Sequence, residues 1–286
     1  MRRKIIYFIK FIQYISLSLL FALLIRLFLC NFYTVASDSM EPTILPGDFI
    51  FTDKYTYGAR IFTKLKFDKD DDPPMMQVQG LRSIQRNDVI AFHFPYRHEW
   101  DTIRMSLEKI FVKRCIGLPG DSISAIGGFY HISGLTDIPG YEPEQKRLID
   151  SRSTLDSSII RAATFDKTFQ WDVFDFGPLY IPVAGATIAL TPENIKLYYK
   201  QIIYETQAII NRKDSYVYIN DTLRQDYTFR SNWYFVAGDK ATNSQDSRYI
   251  GLIPEAYIIG RASLVITSKD KETGKWRWNR MFMRIK

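Results

Sequence analysis

Cysteine and histidine are scarce in this sequence. Its 286 residues hold two cysteines, Cys30 and Cys115, too few and too far apart for a metal-ligand pattern or a disulfide framework. A bridge between them would tie the end of an apolar segment to the interior of the chain, so two free thiols are expected. The three histidines, His93, His98 and His131, fall in no triad motif, and His93 in its aromatic run suits a structural role. No Lys/Arg block interleaved with aromatics stands out away from the N-terminus. The net charge of +7 therefore does not point to nucleic acid; attraction to an anionic membrane surface accounts for it better. No repeat of fixed period is present. The Asp70-Asp71-Asp72 run reads as solvated rather than as a metal site.

What the sequence has, first, is a long apolar run from Ile5 to Phe32 behind Met1-Arg2-Arg3-Lys4. About 20 helical residues span a bilayer core, and Lys10 and Arg26 stand near the two ends, where long basic side chains reach the interfaces. Arg2, Arg3, Lys4 and Lys10 outnumber Arg26, which predicts a cytoplasmic N-terminus and a globular domain outside the cytoplasm. Thr34-Val35-Ala36 offers a small-residue cleavage site of the signal-peptide kind. The length of the run favours an uncleaved anchor, and Leu27-Phe28-Leu29-Cys30 lacks the small residues of a lipoprotein signal.

Beyond the anchor, strand composition dominates. Asp48–Tyr57, the stretch after Asn87-Asp88, Ile110–Ile116, Trp233–Ala237 and Ile258–Thr267 all read as strands, and Gly58–Arg82 as an exposed loop region. Thr191-Pro192-Glu193 is a helix start, and the residues after it have helical apolar spacing. Asn220-Asp221 sits between two β runs, the second reaching Phe229, as in a hairpin. The tail around Trp276, Trp278 and Arg280 suits either a terminal strand or an interfacial aromatic-cation patch.

The chemistry concentrates in Ser37–Asp48, S-D-S-M-E-P-T-I-L-P-G-D. In an extended segment Ser37 and Ser39 share one side, which suits a nucleophile beside an oxyanion donor. Serine needs a base, and a buried lysine held neutral can serve. On strand periodicity Phe111, Lys113 and Cys115 share a face, giving Lys113 a drier setting than most lysines have.

Three ordered blocks carry a family resemblance: Ser37, Ser39, Met40, Pro42, Thr43, Gly47 and Asp48; then Lys113, Arg114, Gly117, Pro119, Gly120 and Asp121; then Gly238-Asp239 through Asn243, Ser244, Asp246, Ser247, Arg248 and Gly251. Together they resemble the bacterial type I signal peptidases, membrane-anchored serine proteases with a Ser/Lys dyad. The resemblance is weak from about Ser122 to Arg230. It also departs in the third block, where Lys240 and Ala241 stand in place of an Asn-Arg pair.

The resemblance implies Ser39 as nucleophile and Lys113 as general base, with the Ser39 N–H and the Ser37 hydroxyl on the oxyanion. It implies Ser244 as the group orienting Lys113. Asp239, Asp246, Arg114 and Arg248 form a supporting charge network whose pairing stays open. Tyr33, Val35, Met40, Ile44, Phe111 and Val112 are implied as walls of pockets for small side chains, though ordinary core packing explains each equally well. The implied substrates are preproteins cut after small-x-small sites at the outer face of the bacterial cytoplasmic membrane, with no cofactor.

The expected fold is mostly β, an antiparallel barrel-like core with a mixed α/β insertion on one transmembrane helix. Its boundaries are a cytoplasmic 1–4, an anchor 5–32, core parts 33–121 and 231–286, and an insertion 122–230. The altered third block motivates one alternative, a catalytically silent membrane-anchored binding or assembly protein on the same fold. A soluble self-cleaving Ser/Lys regulator is a weaker one, disfavoured by the anchor.

Overall fold

Neither proline nor glycine interrupts the N-terminal apolar run; it is helical through Leu29, while Cys30–Phe32, expected within the anchor, already belong to a strand. The computed structural model describes residues 2–64, 71–161, 167–213 and 216–286. Helix α1 (Arg2–Leu24) passes into a wider π-helical turn over Ile25–Leu29. The 27 residues Arg3–Leu29 are long and apolar enough to cross a bilayer, and their most apolar stretch is unburied among the described residues. The end of this segment is fastened to the domain by Lys54, whose Nζ donates to the carbonyls of Arg26 at 2.8 Å and Leu27 at 3.4 Å. These are acceptors that a helix terminus leaves without intrahelical partners.

Eight strands form the main sheet: β1 (Cys30–Thr34), β2 (Asp48–Asp53), β3 (Val89–His93), β4 (Ile110–Gly117), β5 (Trp233–Ala237), β6 (Ile253–Pro254), β7 (Ile258–Ser268) and β8 (Met283–Arg284). Their spatial order is β1-β2-β7-β3-β4-β5-β6, with β8 also on β7. Every ladder is antiparallel, and the sheet curls into a half-barrel. Strand β7 slips register against β2 after Ala262 and Val265, and against β3 after Ile258. Such bulges add local twist and bend the strand, so the longest strand is also where the sheet curves.

Side-chain alternation divides the apolar residues between two clusters. Val89 joins Met40, Ile44, Ile50, Ala262 and Val265 in the smaller one, while its neighbour Ile90 joins the larger, with Phe92, Cys115 and Trp233. Cys30 and Cys115 are buried free thiols.

The 122–230 stretch is mixed. Ser122–Ile126, Phe129–Ile132 and Phe176–Tyr180 pair as a small sheet, accompanied by α2 (Glu142–Asp150), α3 (Ser157–Ile160) and α4 (Pro192–Thr206). The Thr191 hydroxyl caps α4 by accepting from Asn194 N at 3.1 Å. The hairpin turns at Asn220 and Asp221, both with positive φ (48° and 57°), which is the geometry a two-residue turn between twisted strands demands. Its second run does not continue to Phe229. Thr222–Arg224 pairs with Tyr216–Ile219, and after Gln225 the chain pairs Asp226–Thr228 with Thr187–Ala189 instead.

Ile123, Tyr130, Phe176 and Ile202 from this stretch lie in the same cluster as Phe92 and Trp233. Glu205, near the end of α4, adds polar ties. It accepts from Tyr227 Oη (2.7 Å), from the amides of Arg230 (2.8 Å) and Ser231 (3.0 Å), and from Trp233 Nε1 (3.1 Å).

Two loop expectations change. Within 58–82, Arg60–Phe62 and Met75–Gln77 pair as short strands. Asp72 is not free in solvent: it accepts from Met105 N at 2.7 Å and from the Tyr257 hydroxyl. Asp71 is exposed, and Asp70, with the rest of 65–70, lies outside the described residues. In the tail, β8 packs on the sheet while Trp276 and Trp278 stay exposed.

Candidate active site

The serine block is the loop between β1 and β2, pinched at its base. Val35 N donates to Asp48 O (2.8 Å) and Gly47 N to Val35 O (2.9 Å). Gly47 has φ +90°, and a Cβ there would come within 1.9 Å of the Lys269 carbonyl oxygen. Glycine is thus required both by conformation and by space. The fully buried Asp48 carboxylate accepts from Leu45 N at 2.9 Å and pairs with Arg280 at 2.5 Å. Arg280 also donates to Thr43 O at 2.9 Å, so a tail arginine braces the loop from below.

The chain is already turning at Ser39 rather than running extended through it. The two serine hydroxyls nonetheless lie 3.3 Å apart, with Ser37 exposed and Ser39 almost buried. Ser39 Oγ is hydrogen-bonded to Lys113 Nζ. Lys113 comes from β4, and as its alternation predicts, the face of the Phe111 ring lies 5.7 Å from Nζ. Burial lowers the Lys113 pKa to about 8; Asp246 opposes that shift, Arg248 adds to it, and Asp239 and Asp38 oppose it more weakly. A lysine at that value keeps a substantial neutral fraction near neutral pH, unlike one at its ordinary value.

The third block supplies these charges, and the pairing left open by the sequence is now explicit. Arg114 grips Asp239 with Nε and a terminal nitrogen, both at 2.6 Å, and Thr43 also donates to Asp239. Arg248 grips Asp246 with two bonds of 2.8 Å, both side chains fully buried. Burial alone would push the Asp246 carboxyl up. Arg248, the Gly238 N–H at 3.0 Å and the charge of Lys113 overcome this and hold it below the usual carboxylate range. The cation that helps to depress Lys113 is Arg248 rather than the adjacent Arg114.

Ser244 does not make the expected bond. Its Oγ is buried and has no hydrogen-bond partner among the described residues, because Lys113 Nζ is turned to Ser39. It lies against Gly238, where a Cβ would fall 2.1 Å from Ser244 Oγ and 2.4 Å from the Ser39 carbonyl oxygen.

The departing pair has a structural role. Lys240 Nζ reaches Asp38 at 2.5 Å and Glu41 at 2.9 Å, on both sides of Ser39, and Lys240 N donates to Ser39 O at 3.1 Å. Asn243 donates to Asp38 as well, and Ala241 offers its carbonyl to Arg248 at 3.0 Å. Sequence reasoning missed Asp38, Lys240 and Arg280 as supports of this loop. The only signal was the unusual Lys240 itself.

Of the six candidate pocket walls, Tyr33, Val35, Met40, Ile44 and Val112 fall in the smaller apolar cluster next to the loop. Met40 and Ile44 are buried, and Phe111 packs against the other cluster. His93 Nδ1 faces the Ser106 carbonyl at 3.1 Å, and burial lowers its pKa; His98 and His131 are exposed. Among the described residues no group of three or more His, Cys, Asp or Glu side chains is placed to hold a metal.

Comparison with known proteins adds to this geometry. A family model described as "Signal peptidase, peptidase S26" matches residues 8–169 and 180–267. The chain is 28% identical over 272 residues to a signal peptidase I of Buchnera aphidicola subsp. Baizongia pistaciae, covering 93% of this chain and 79% of that protein. It is 26% identical over 261 residues to the signal peptidase I of Aquifex aeolicus, covering 91% and 84%. A crystal structure of a signal peptidase I from Enterococcus faecalis aligns at 21% identity and a TM-score of 0.29, covering 64% of this chain and 98% of that one.

Proposed function

Because this chain belongs to the signal peptidase, peptidase S26 family, and is thereby a serine endopeptidase that removes signal peptides, we propose that Ser39 and Lys113 are its catalytic dyad. The hydrogen bond between Ser39 Oγ and a buried lysine whose pKa is lowered to about 8 carries this reading. Neutral Lys113 takes the hydroxyl proton as Ser39 Oγ attacks the scissile carbonyl. The resulting ammonium then gives that proton to the departing amine, leaving an acyl-enzyme. Water, deprotonated by the same amine, releases the new C-terminus and restores Ser39. The oxyanion falls to the Ser39 N–H and the Ser37 hydroxyl.

Buried Arg114–Asp239 and Arg248–Asp246 pairs hold the third block rigid behind the lysine. A base must keep its lone pair within hydrogen-bond reach, and rigid support of this kind preserves that geometry. The small apolar cluster beside the loop suits short side chains, consistent with cleavage after small-x-small sequences. Helix α1 anchors the chain in the bacterial cytoplasmic membrane with its basic end inside and the domain outside.

Incubating a preprotein with the purified full chain tests the dyad. Wild type should release the mature protein, whereas Ser39→Ala and Lys113→Ala should fold yet leave the preprotein intact. Cleavage by either variant would overturn the assignment. Protease added to spheroplasts should digest the domain, and a protected domain would overturn the orientation.

A further inference from the structure

Where α1 meets the sheet, a cavity of about 780 Å³ opens between the last turns of the helical segment and strands β1, β2, β3 and β7. Its walls are apolar at Ile25, Phe32 and Phe62, and Phe32 and Phe62 are half exposed. Three cations also line it: Arg26, Lys54 and Arg60. Among the described residues no Asp or Glu lines this cavity, and none forms an ion pair with these three.

Their hydrogen bonds do not neutralise them either. Among the described residues Lys54 donates to the carbonyls of Arg26 and Leu27 and to nothing else. Arg60 donates to the carbonyls of Tyr57 (3.3 Å), Gly58 (2.8 Å) and Glu255 (3.1 Å). Its Nε is buried and has no acceptor among the described residues. The Glu255 carboxylate is held by Asn232 at 2.7 Å and Tyr234 at 3.4 Å and acts on Arg60 through its charge without forming an ion pair with it. Burial and the charge of Arg26 both push the Lys54 pKa down, and an anion in the cavity would offset both.

We propose that this cavity is a binding site for one anionic phospholipid, its phosphate held by Arg26, Lys54 and Arg60 and an acyl chain laid along Ile25, Phe32 and Phe62. The proposal rests on the reading of α1 as a membrane anchor, which puts the end of that segment at the level of the headgroups. Charge selects this occupant over the other long apolar molecule that reaches the enzyme. A signal peptide carries a positively charged amino-terminal region, which three cations without an ion-pair contact would repel. An apolar helix would leave the same cations without an anionic partner. A lipid with a phosphate and a net negative charge satisfies both ends of the cavity.

The test uses the full chain, recovered gently from vesicles of phosphatidylcholine containing a minor share of phosphatidylglycerol, with retained lipid identified by native mass spectrometry. The expected result is one phosphatidylglycerol per chain, enriched well above its share of the vesicle. Each basic residue near a membrane surface adds about a fivefold preference for anionic lipid. Arg26→Gln and Arg60→Gln should each reduce the enrichment by about that factor, while Lys146→Gln on the exposed face of α2 leaves it unchanged.

Arg26 is exposed on the helical segment, so its variant folds even if loss of Arg60 disturbs the carbonyl contacts. Retention in proportion to vesicle composition would overturn the proposal, as would enrichment indifferent to Arg26→Gln. Displacement of the lipid by inorganic phosphate alone would also overturn it, by showing a small-anion site. The Ser39→Ala chain should retain the lipid fully. A failure of preprotein cleavage and a failure of lipid retention are therefore separate results.

Discussion

Lys240 Nζ lies 2.5 Å from the carboxylate of Asp38, the residue before Ser39, although the two are 202 positions apart along the chain. A second contact to Glu41 at 2.9 Å makes the lysine a strap across Ser39. All three side chains remain about a quarter to a third exposed, which limits the strength of the pair to at most about 1 kcal/mol. Lys240→Met should therefore lower kcat by about fivefold with KM nearly unchanged. Lys240→Arg should restore most of the loss. High salt should narrow the gap between wild type and Lys240→Met by screening the ion pairs. Steady-state kinetics of the three enzymes at low and high salt decide this, and a change confined to KM would assign Lys240 to substrate binding.

Activity should rise with pH through the Lys113 pKa of about 8, because only the neutral amine takes the Ser39 proton. Lys113→Arg should be inactive at every pH that the fold survives, since guanidinium stays charged. A pH–rate profile of kcat/KM checks both statements. An active, folded Lys113→Arg enzyme would remove Lys113 as the base.

The same lysine should cost stability. Its pKa is about 8 when folded against 10.5 ordinarily, so between these values the unfolded chain binds more protons and stability rises with pH. Below pH 8 the penalty is complete, up to about 3 kcal/mol at roughly 1.4 kcal/mol per pKa unit. Lys113→Met should unfold at a higher temperature than wild type at pH 7, and the advantage should shrink as the pH approaches 10. Thermal melts at a series of pH values measure this. An advantage that stayed constant with pH would show that packing, not desolvated charge, is responsible.

Gly238→Ala should inactivate by displacement. The added methyl would collide with the Ser39 carbonyl and the Ser244 hydroxyl, and the backbone atom has the less room to yield. A loss of about 100-fold in kcat is expected from a shift of roughly 1 Å at the nucleophile, with circular dichroism unchanged. Undiminished turnover would mean that the serine loop tolerates movement the dyad should not.

Strand alternation around Lys113, the cap at Thr191 and the turn at Asn220-Asp221 were all legible in the sequence, because each depends on residues a few positions apart. The dyad residues could be named because both sit in short motifs. Arg280 under Asp48 and Lys240 over Asp38 could not be foreseen: each joins residues more than 200 positions apart through side chains with no local signature. The choice of partner between Asp239 and Asp246 was hidden because Arg114 finds Asp239 125 positions away, although Arg248 pairs with Asp246 only two residues before it. Ser244 shows the opposite failure, a residue with a clear motif whose hydroxyl ends without the expected partner. Phe111 was grouped with five others on flanking sequence alone, whereas alternation along β4 turns it away from its neighbour Val112 and into the larger cluster. The ties of Asp72 to Tyr257 and Met105 likewise come from distant strands and loops, which composition alone read as solvated charge.

The sheet order has a consequence for the order of events at the ribosome. Ser39 hangs from β1 and β2, Lys113 stands on β4 beside β3, and β7, which follows all four in the chain, lies between those two hairpins. Until β7 emerges, nothing in the sheet holds the hydroxyl and the amine in register. A nascent chain of this enzyme is therefore a disarmed one: it cannot attack the secretory traffic passing beside it, or itself, before β7 has left the ribosome and joined the sheet.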